Sequence, residues 1–221
     1  MTGRLARLRE GARSDAGLSL TELLVTILLT GIIMTMVGSM FINVARLTSN
    51  SNATTQKSSV AANLMDAVSK VIRTASNIPV PGQDVPDPAI VAGTGSSLTI
   101  YSFVDTSSVV PEPTKVGYRV DASGNLIEDR WKGTTVGGST TFAATASSRV
   151  LGGPILTPTG SGALFAYLGP AGQVADISAG FADVASIRVT ITMANQLTTG
   201  SDPILVVNTV GMPNLKLSRD D

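Results

Sequence analysis

The sequence predicts an α+β fold: a long N-terminal helix, membrane-spanning in its first half and amphipathic in its second, packed on a C-terminal antiparallel β-sheet. Three observations predict it. Residues 23–45 form an uncharged apolar run, and residues 60–75 carry apolar side chains at three- and four-residue steps. From Ala89 onward, short apolar or alternating runs are separated by Gly, Pro, Ser and Asp, the pattern of antiparallel strands. Helix first and strands second is the α+β order rather than the alternating α/β one.

Composition narrows the chemistry before any motif is considered. A length of 221 residues accommodates one ordinary domain plus an elongated element, and 43% hydrophobic against 14% charged residues gives enough apolar surface for a core. Lys and Arg balance Asp and Glu at 16 each, and the basic residues do not cluster with aromatics, so no nucleic-acid partner is expected. The chain has no His, which removes the commonest general base and zinc ligand, and no Cys, which removes thiol nucleophiles and disulfides. The remaining Ser, Lys, Asp and Glu show no recognisable catalytic spacing. No enzyme, no cofactor and no metal site is expected.

In chain order, residues 1–17 form the first segment, with Arg4, Arg7, Arg9 and Arg13 against Glu10 and Asp15 and no apolar run long enough to pack. Next, LLVTILLTGIIMTMVGSMFINVA, from Leu23 to Ala45, has no charge and reaches roughly 34 Å as a helix, enough to cross a bilayer. The basic flank before it places the N-terminus in the cytoplasm and the following chain outside. A secretory signal peptide fits poorly, because its apolar region should be about 7 to 15 residues long and end at a small-residue cleavage site. A plain signal anchor carrying an extracytoplasmic adhesin or hydrolase is the stronger alternative. Glu22 stands against it, since an acid at the head of an apolar run contributes nothing to insertion.

The residues Gly17-Leu18-Ser19-Leu20-Thr21-Glu22-Leu23-Leu24-Val25 resemble the processing and methylation motif of type IV prepilins and type II secretion pseudopilins. The resemblance covers residues 17 to about 45. It implies that a prepilin peptidase cuts after Gly17, that Leu18 becomes the N-terminus and is methylated, and that Glu22 occupies the family's glutamate position. It also implies the fold already described, with other pilin or pseudopilin subunits, an inner-membrane assembly platform and the membrane itself as partners. Leu18 departs from the usual phenylalanine, an apolar exchange. A physical reason for Glu22 stands beside the resemblance: cleavage creates an ammonium at the head of an apolar helix, and a carboxylate one turn below pairs with it or with a neighbouring chain's amine. Glu22 is therefore the expected docking acid. Gly31 and Gly38 are expected to let helix backbones approach closely, or to mark points of bending.

Residues 46–58, RLTSNSNATTQKS, are rich in Ser, Thr and Asn, which predicts a frayed or kinked stretch. Residues 46–78 then continue the helix as an amphipathic segment, with Val60, Leu64, Ala67, Val68, Val71, Ile72 and Ala75 on one stripe and Asp66, Lys70 and Arg73 off it. Pro79 and Pro81 end it, and residues 79–221 form an extracytoplasmic β-rich domain. Strands are expected at Leu98–Val104, Lys115–Val120, Leu126–Lys132, Ala163–Leu168, Ala185–Met193 and Ile204–Val210, with Asp121–Asn125 as a hairpin turn. Residues 115–120 and 125–130 bear a looser resemblance to paired strands of minor pilins and J-type pseudopilins, implying a priming or tip-proximal subunit. Asp121, Glu128 and Asp129 are read as a solvated hairpin rather than a calcium cluster. Gly137-Gly138 and Gly152-Gly153-Pro154 are read as turns. Trp131 has two open readings, a surface contact or a core side chain.

Overall fold

The computed structural model describes residues 19–79, 86–104, 111–156, 163–178, 180–194 and 203–215. The chain divides into two compact units, Met1–Asn50 and Ser51–Asp221. A single helix, α1 (Leu20–Arg73), provides all the described structure of the first unit beyond Ser19 and continues into the second.

Helix α1 starts where a side chain satisfies its first orphan donors. Ser19 Oγ accepts the Glu22 backbone N–H at 3.2 Å, and the Ser19 carbonyl accepts the N–H groups of Glu22 and Leu23 at 3.0 and 3.1 Å. The stretch 46–58 is not frayed; it is helical throughout. Hydroxyls in and just after it bond within the helix instead of competing with it: Thr48, Thr55 and Ser59 donate to the carbonyls of Val44, Ser51 and Thr55 at 2.9, 2.9 and 3.0 Å. The helix stops at Arg73, short of residue 78 and ahead of the prolines. Sheet pairing captures the chain first: Ser76 N–H bonds the Tyr101 carbonyl, Phe103 N–H bonds the Thr74 carbonyl, and Ala75 bridges Ser102. The buried Ser102 hydroxyl donates to the Val71 carbonyl at 3.0 Å, satisfying one of the orphan acceptors of the last turn.

The second unit holds two antiparallel sheets. The larger comprises β1 (Ile90–Gly93), β2 (Leu98–Ser102), β3 (Thr114–Val120), β4 (Leu126–Val136), β5 (Ser139–Phe142) and β6 (Ser147–Gly152), ordered β1-β2-β3-β4-β5 with β6 also on β4. At 11 residues, β4 is long enough to pair with β6 along Leu126–Arg130 and with β5 along Gly133–Val136. The smaller sheet is β7 (Phe165–Leu168), β8 (Ser186–Met193) and β9 (Ile204–Gly211), in that order. The six expected strands correspond to β2, β3, β4, β7, β8 and β9. β1, β5 and β6 were not expected, and the largely exposed β5 and β6 carry no apolar alternation of their own, so pairing with β4 organises them.

The amphipathic part of α1 and both sheets enclose one core. Leu64, Val68, Val71 and Ile72 from the helix meet Leu98, Ile100, Val116 and Leu126 from the larger sheet and Phe165, Ile187, Val189 and Ile191 from the smaller, all essentially solvent-free. Asp66, Lys70 and Arg73 are exposed, as the stripe requires, while Val60 and Ala67 sit at its half-buried margin. The β3–β4 turn forms as expected: Asp121 Oδ1 accepts the N–H groups of Ser123 and Asn125 at 2.8 Å each, and Gly124 takes φ +81°. Gly137 and Gly138 turn β4 into β5 with φ of +60° and +81°, the left-handed pair that suits a two-residue hairpin.

Candidate functional site

Two regions carry features beyond packing: the head of α1 and an ionic cluster on the larger sheet. At the head, Gly17 and Leu18 lie outside the described residues. Glu22 lies in the first turn of α1, fully in reach of solvent, where its carboxylate complements the positive end of the helix dipole. Ser19 is the site residue that sequence reasoning missed. Its signal was present, because Ser19-Leu20-Thr21-Glu22 has the spacing of a capping box.

Below Glu22, every large apolar side chain from Leu23 to Leu47 is exposed, Phe41 at 75% and Met40 at 69% among them. An apolar surface of this extent is stable in a bilayer or against other chains, not in water. Helix α1 contains a segment long and apolar enough to cross a membrane. Its hydroxyls are compatible with that setting: Thr26, Thr35 and Ser39 donate to the carbonyls of Leu23, Ile32 and Met36 at 2.8, 2.7 and 2.8 Å. α1 is helical without interruption through Gly31 and Gly38, and a Cβ on either glycine would meet nothing within 4 Å. Both therefore expose bare backbone to whatever surrounds the helix.

The ionic cluster corrects the reading of a solvated hairpin. The Glu128 side chain is wholly buried on the core face of β4 and accepts four hydrogen bonds: Tyr118 Oη at 3.1 Å, Arg149 Nε at 2.8 Å, Arg149 Nη2 at 3.2 Å and Arg130 Nε. The β3–β4 and β4–β6 registers bring Tyr118 and Arg149 opposite Glu128. Burial by itself pushes the Glu128 carboxyl up, but the hydrogen bonds and charges of Arg149 and Arg130 outweigh it and hold the carboxyl below its ordinary range. Burial, with the carboxylate beside it, pushes the Tyr118 phenol up. On the opposite face Asp129 bonds Arg119 Nε at 2.8 Å and the Ser148 hydroxyl; burial raises its carboxyl and these partners more than offset it. With four hydrogen bonds to Glu128 and two to Asp129, all from cations or hydroxyls, the cluster staples three strands together. Among the described residues, no group of three His, Cys, Asp or Glu is placed to hold a metal ion.

The structure also settles Trp131. It is half-buried on the sheet face away from the core, lies over Gly117, and has Lys115 Nζ 4.7 Å from its ring. Tyr101 and Phe142 stack on the same face with centroids 5.0 Å apart. Elsewhere in the second unit, a groove of about 320 Å³ is lined by Gln56, Lys57, Val60, Gly153, Pro154, Met193 and Ala194. Lys57 Nζ donates to the Ala194 carbonyl at 2.6 Å beside it, fastening α1 to the end of β8. No protein-family model and no curated protein matches the chain.

Proposed function

We propose that the chain is a prepilin-type subunit, processed after Gly17 and incorporated through the first half of α1 into a pilus or secretion pseudopilus, as a minor or priming subunit. The observation that carries this reading is a single acid, Glu22, five residues past Gly17 at the head of an uncharged apolar helix whose whole circumference is exposed. An isolated carboxylate at that depth is costly unless it meets a cation. An amine created at Leu18 stands four residues before Glu22 in its own chain and would reach a neighbour's Glu22 when the helices stagger. The exposed glycines Gly31 and Gly38 allow close helix approach, and the second unit, a self-contained α+β core, follows on the extracytoplasmic side. Prepilin peptidase, sibling subunits and an inner-membrane assembly platform are the implied partners. The chain acts by assembly, without catalysis or a cofactor.

The test is the intact mass of the chain after co-expression with a prepilin peptidase, with Gly17→Leu as control. Loss of residues 1–17, absent in the control, is the expected result. An uncut chain beside a peptidase active on another prepilin would refute processing and leave a signal-anchored protein.

A further inference from the structure

Two guanidinium groups converge on one carboxylate at the core face of β4. Arg130 Nε and Arg149 Nε donate to the same oxygen, Glu128 Oε1, so the two nitrogens stand within about 6 Å of each other. The other ion pairs among the described residues, Arg119 with Asp129 and Lys132 with Glu112, match one cation to one acid. Here two arginines against one glutamate leave a net charge of plus one. Glu128 is already served by Arg149, which bonds both of its oxygens, and by Tyr118 Oη. Arg130 therefore adds a positive charge beyond what the carboxylate needs.

Both arginines are held on one side and open on the other. The Glu128 side chain is 0% exposed, whereas those of Arg130 and Arg149 are 35% and 56% exposed, so the ionised groups of the cluster that reach water are the cations. Among the described residues, no acceptor meets either Nη of Arg130 or Nη1 of Arg149. Charge-assisted bonds to a buried acid fix the two side chains before any ligand arrives, which lowers the ordering cost of binding.

We infer that Arg130 and Arg149 form an anion site that takes a phosphate group. Two guanidiniums side by side repel each other, and an anion on their open side gives the second charge its counter-ion. Phosphate suits the donors better than a carboxylate does. The free N–H groups come from two forks on two strands, β4 and β6, and a tetrahedral anion has oxygens for both, whereas a planar carboxylate is matched by one fork. The site lies within the second unit and is independent of processing at Gly17.

The full-length, detergent-solubilised chain, followed through the fluorescence of Trp131, is heated in chloride, acetate, inorganic phosphate and glycerophosphoglycerol, a headgroup-like phosphodiester, all at equal ionic strength. A phosphate compound should raise Tm saturably above the chloride value, by about 3–6 °C at ten times its dissociation constant. Arg130→Gln and Arg149→Gln, each of which leaves Glu128 one arginine, should lose that increment. Arg119→Gln should keep it, because Arg119 is 53% exposed but already paired with Asp129. An increment from inorganic phosphate alone supports the site with free phosphate as its source, and one from the diester supports it with a lipid headgroup. No saturable increment from either, one matched by acetate, one that survives in Arg130→Gln or Arg149→Gln, or one lost equally in Arg119→Gln overturns the proposal.

Discussion

Replacing Glu128 with alanine should cost the second unit about 3 kcal/mol, a value set by the asymmetry of its cluster. The carboxylate side chain is 0% exposed, whereas Arg130 and Arg149 are 35% and 56% exposed. Breaking a fully buried pair costs about 3–5 kcal/mol, most of it from the charge left behind. Here the charges left behind are guanidinium groups that reach water, so the lower end applies. The Tyr118 hydroxyl, 1% exposed as a residue, stays buried without its acceptor and contributes about 1–3 kcal/mol of that total. Removing the cations reverses the geometry. Arg149→Ala alone leaves Glu128 with Arg130 and should cost about 1 kcal/mol, while Arg130→Ala with Arg149→Ala strands a buried carboxylate and should exceed the sum of the singles by about 1–2 kcal/mol. Trp131, the single tryptophan, lies three residues along β4 and reports unfolding of the detergent-solubilised chain by fluorescence. A 3 kcal/mol loss corresponds to a fall in Tm of roughly 6–12 °C for a unit of this size. A Glu128→Ala variant within about 0.5 kcal/mol of the parent, or strictly additive arginine losses, would refute the account.

Acid should act on the same cluster. Glu128 and Asp129 both have folded-state carboxyls lowered from ordinary values of 4.5 and 3.8, so their contribution is present above those values and disappears as pH falls through the lowered ones. Urea midpoints should therefore drop below about pH 4.5, and less steeply in Glu128→Gln; identical profiles would remove Glu128 as the cause. Gly133→Ala should cost about 1–3 kcal/mol, because a Cβ there falls inside contact distance of the Pro113 carbonyl and 3.2 Å from the Phe142 ring, and an unchanged urea midpoint would contradict it. In the head of α1, Glu22→Ala should still be cut by a prepilin peptidase but fail to co-assemble with sibling subunits. Normal incorporation of that variant would sink the docking role.

The amphipathic stripe was legible because its period is local: one helix face buries Leu64, Val68, Val71 and Ile72 whatever lies opposite. The central strands were legible for the same reason, each carrying its own apolar run. β5 and β6 were not, because Ser139–Phe142 and Ser147–Gly152 are mostly polar and become strands only by completing the hydrogen bonds of β4. The division into two sheets was also out of reach, since strand partners are chosen by long-range pairing rather than by local pattern.

What the sequence by itself determined is the apolar run with Glu22 at its head, the helix behind it and the β-rich remainder, because charge, hydropathy and periodicity are properties of neighbouring residues. Tertiary structure alone decided that Arg73 ends the helix, where the Ser102 hydroxyl arrives from β2 to take the Val71 carbonyl and the Tyr101 carbonyl accepts the Ser76 N–H. It alone decided that Glu128 is buried. An acid, two arginines and a tyrosine drawn from β3, β4 and β6 form a cluster only after the registers place Tyr118 and Arg149 on either side of Glu128, and registers are set by contacts far apart in the chain.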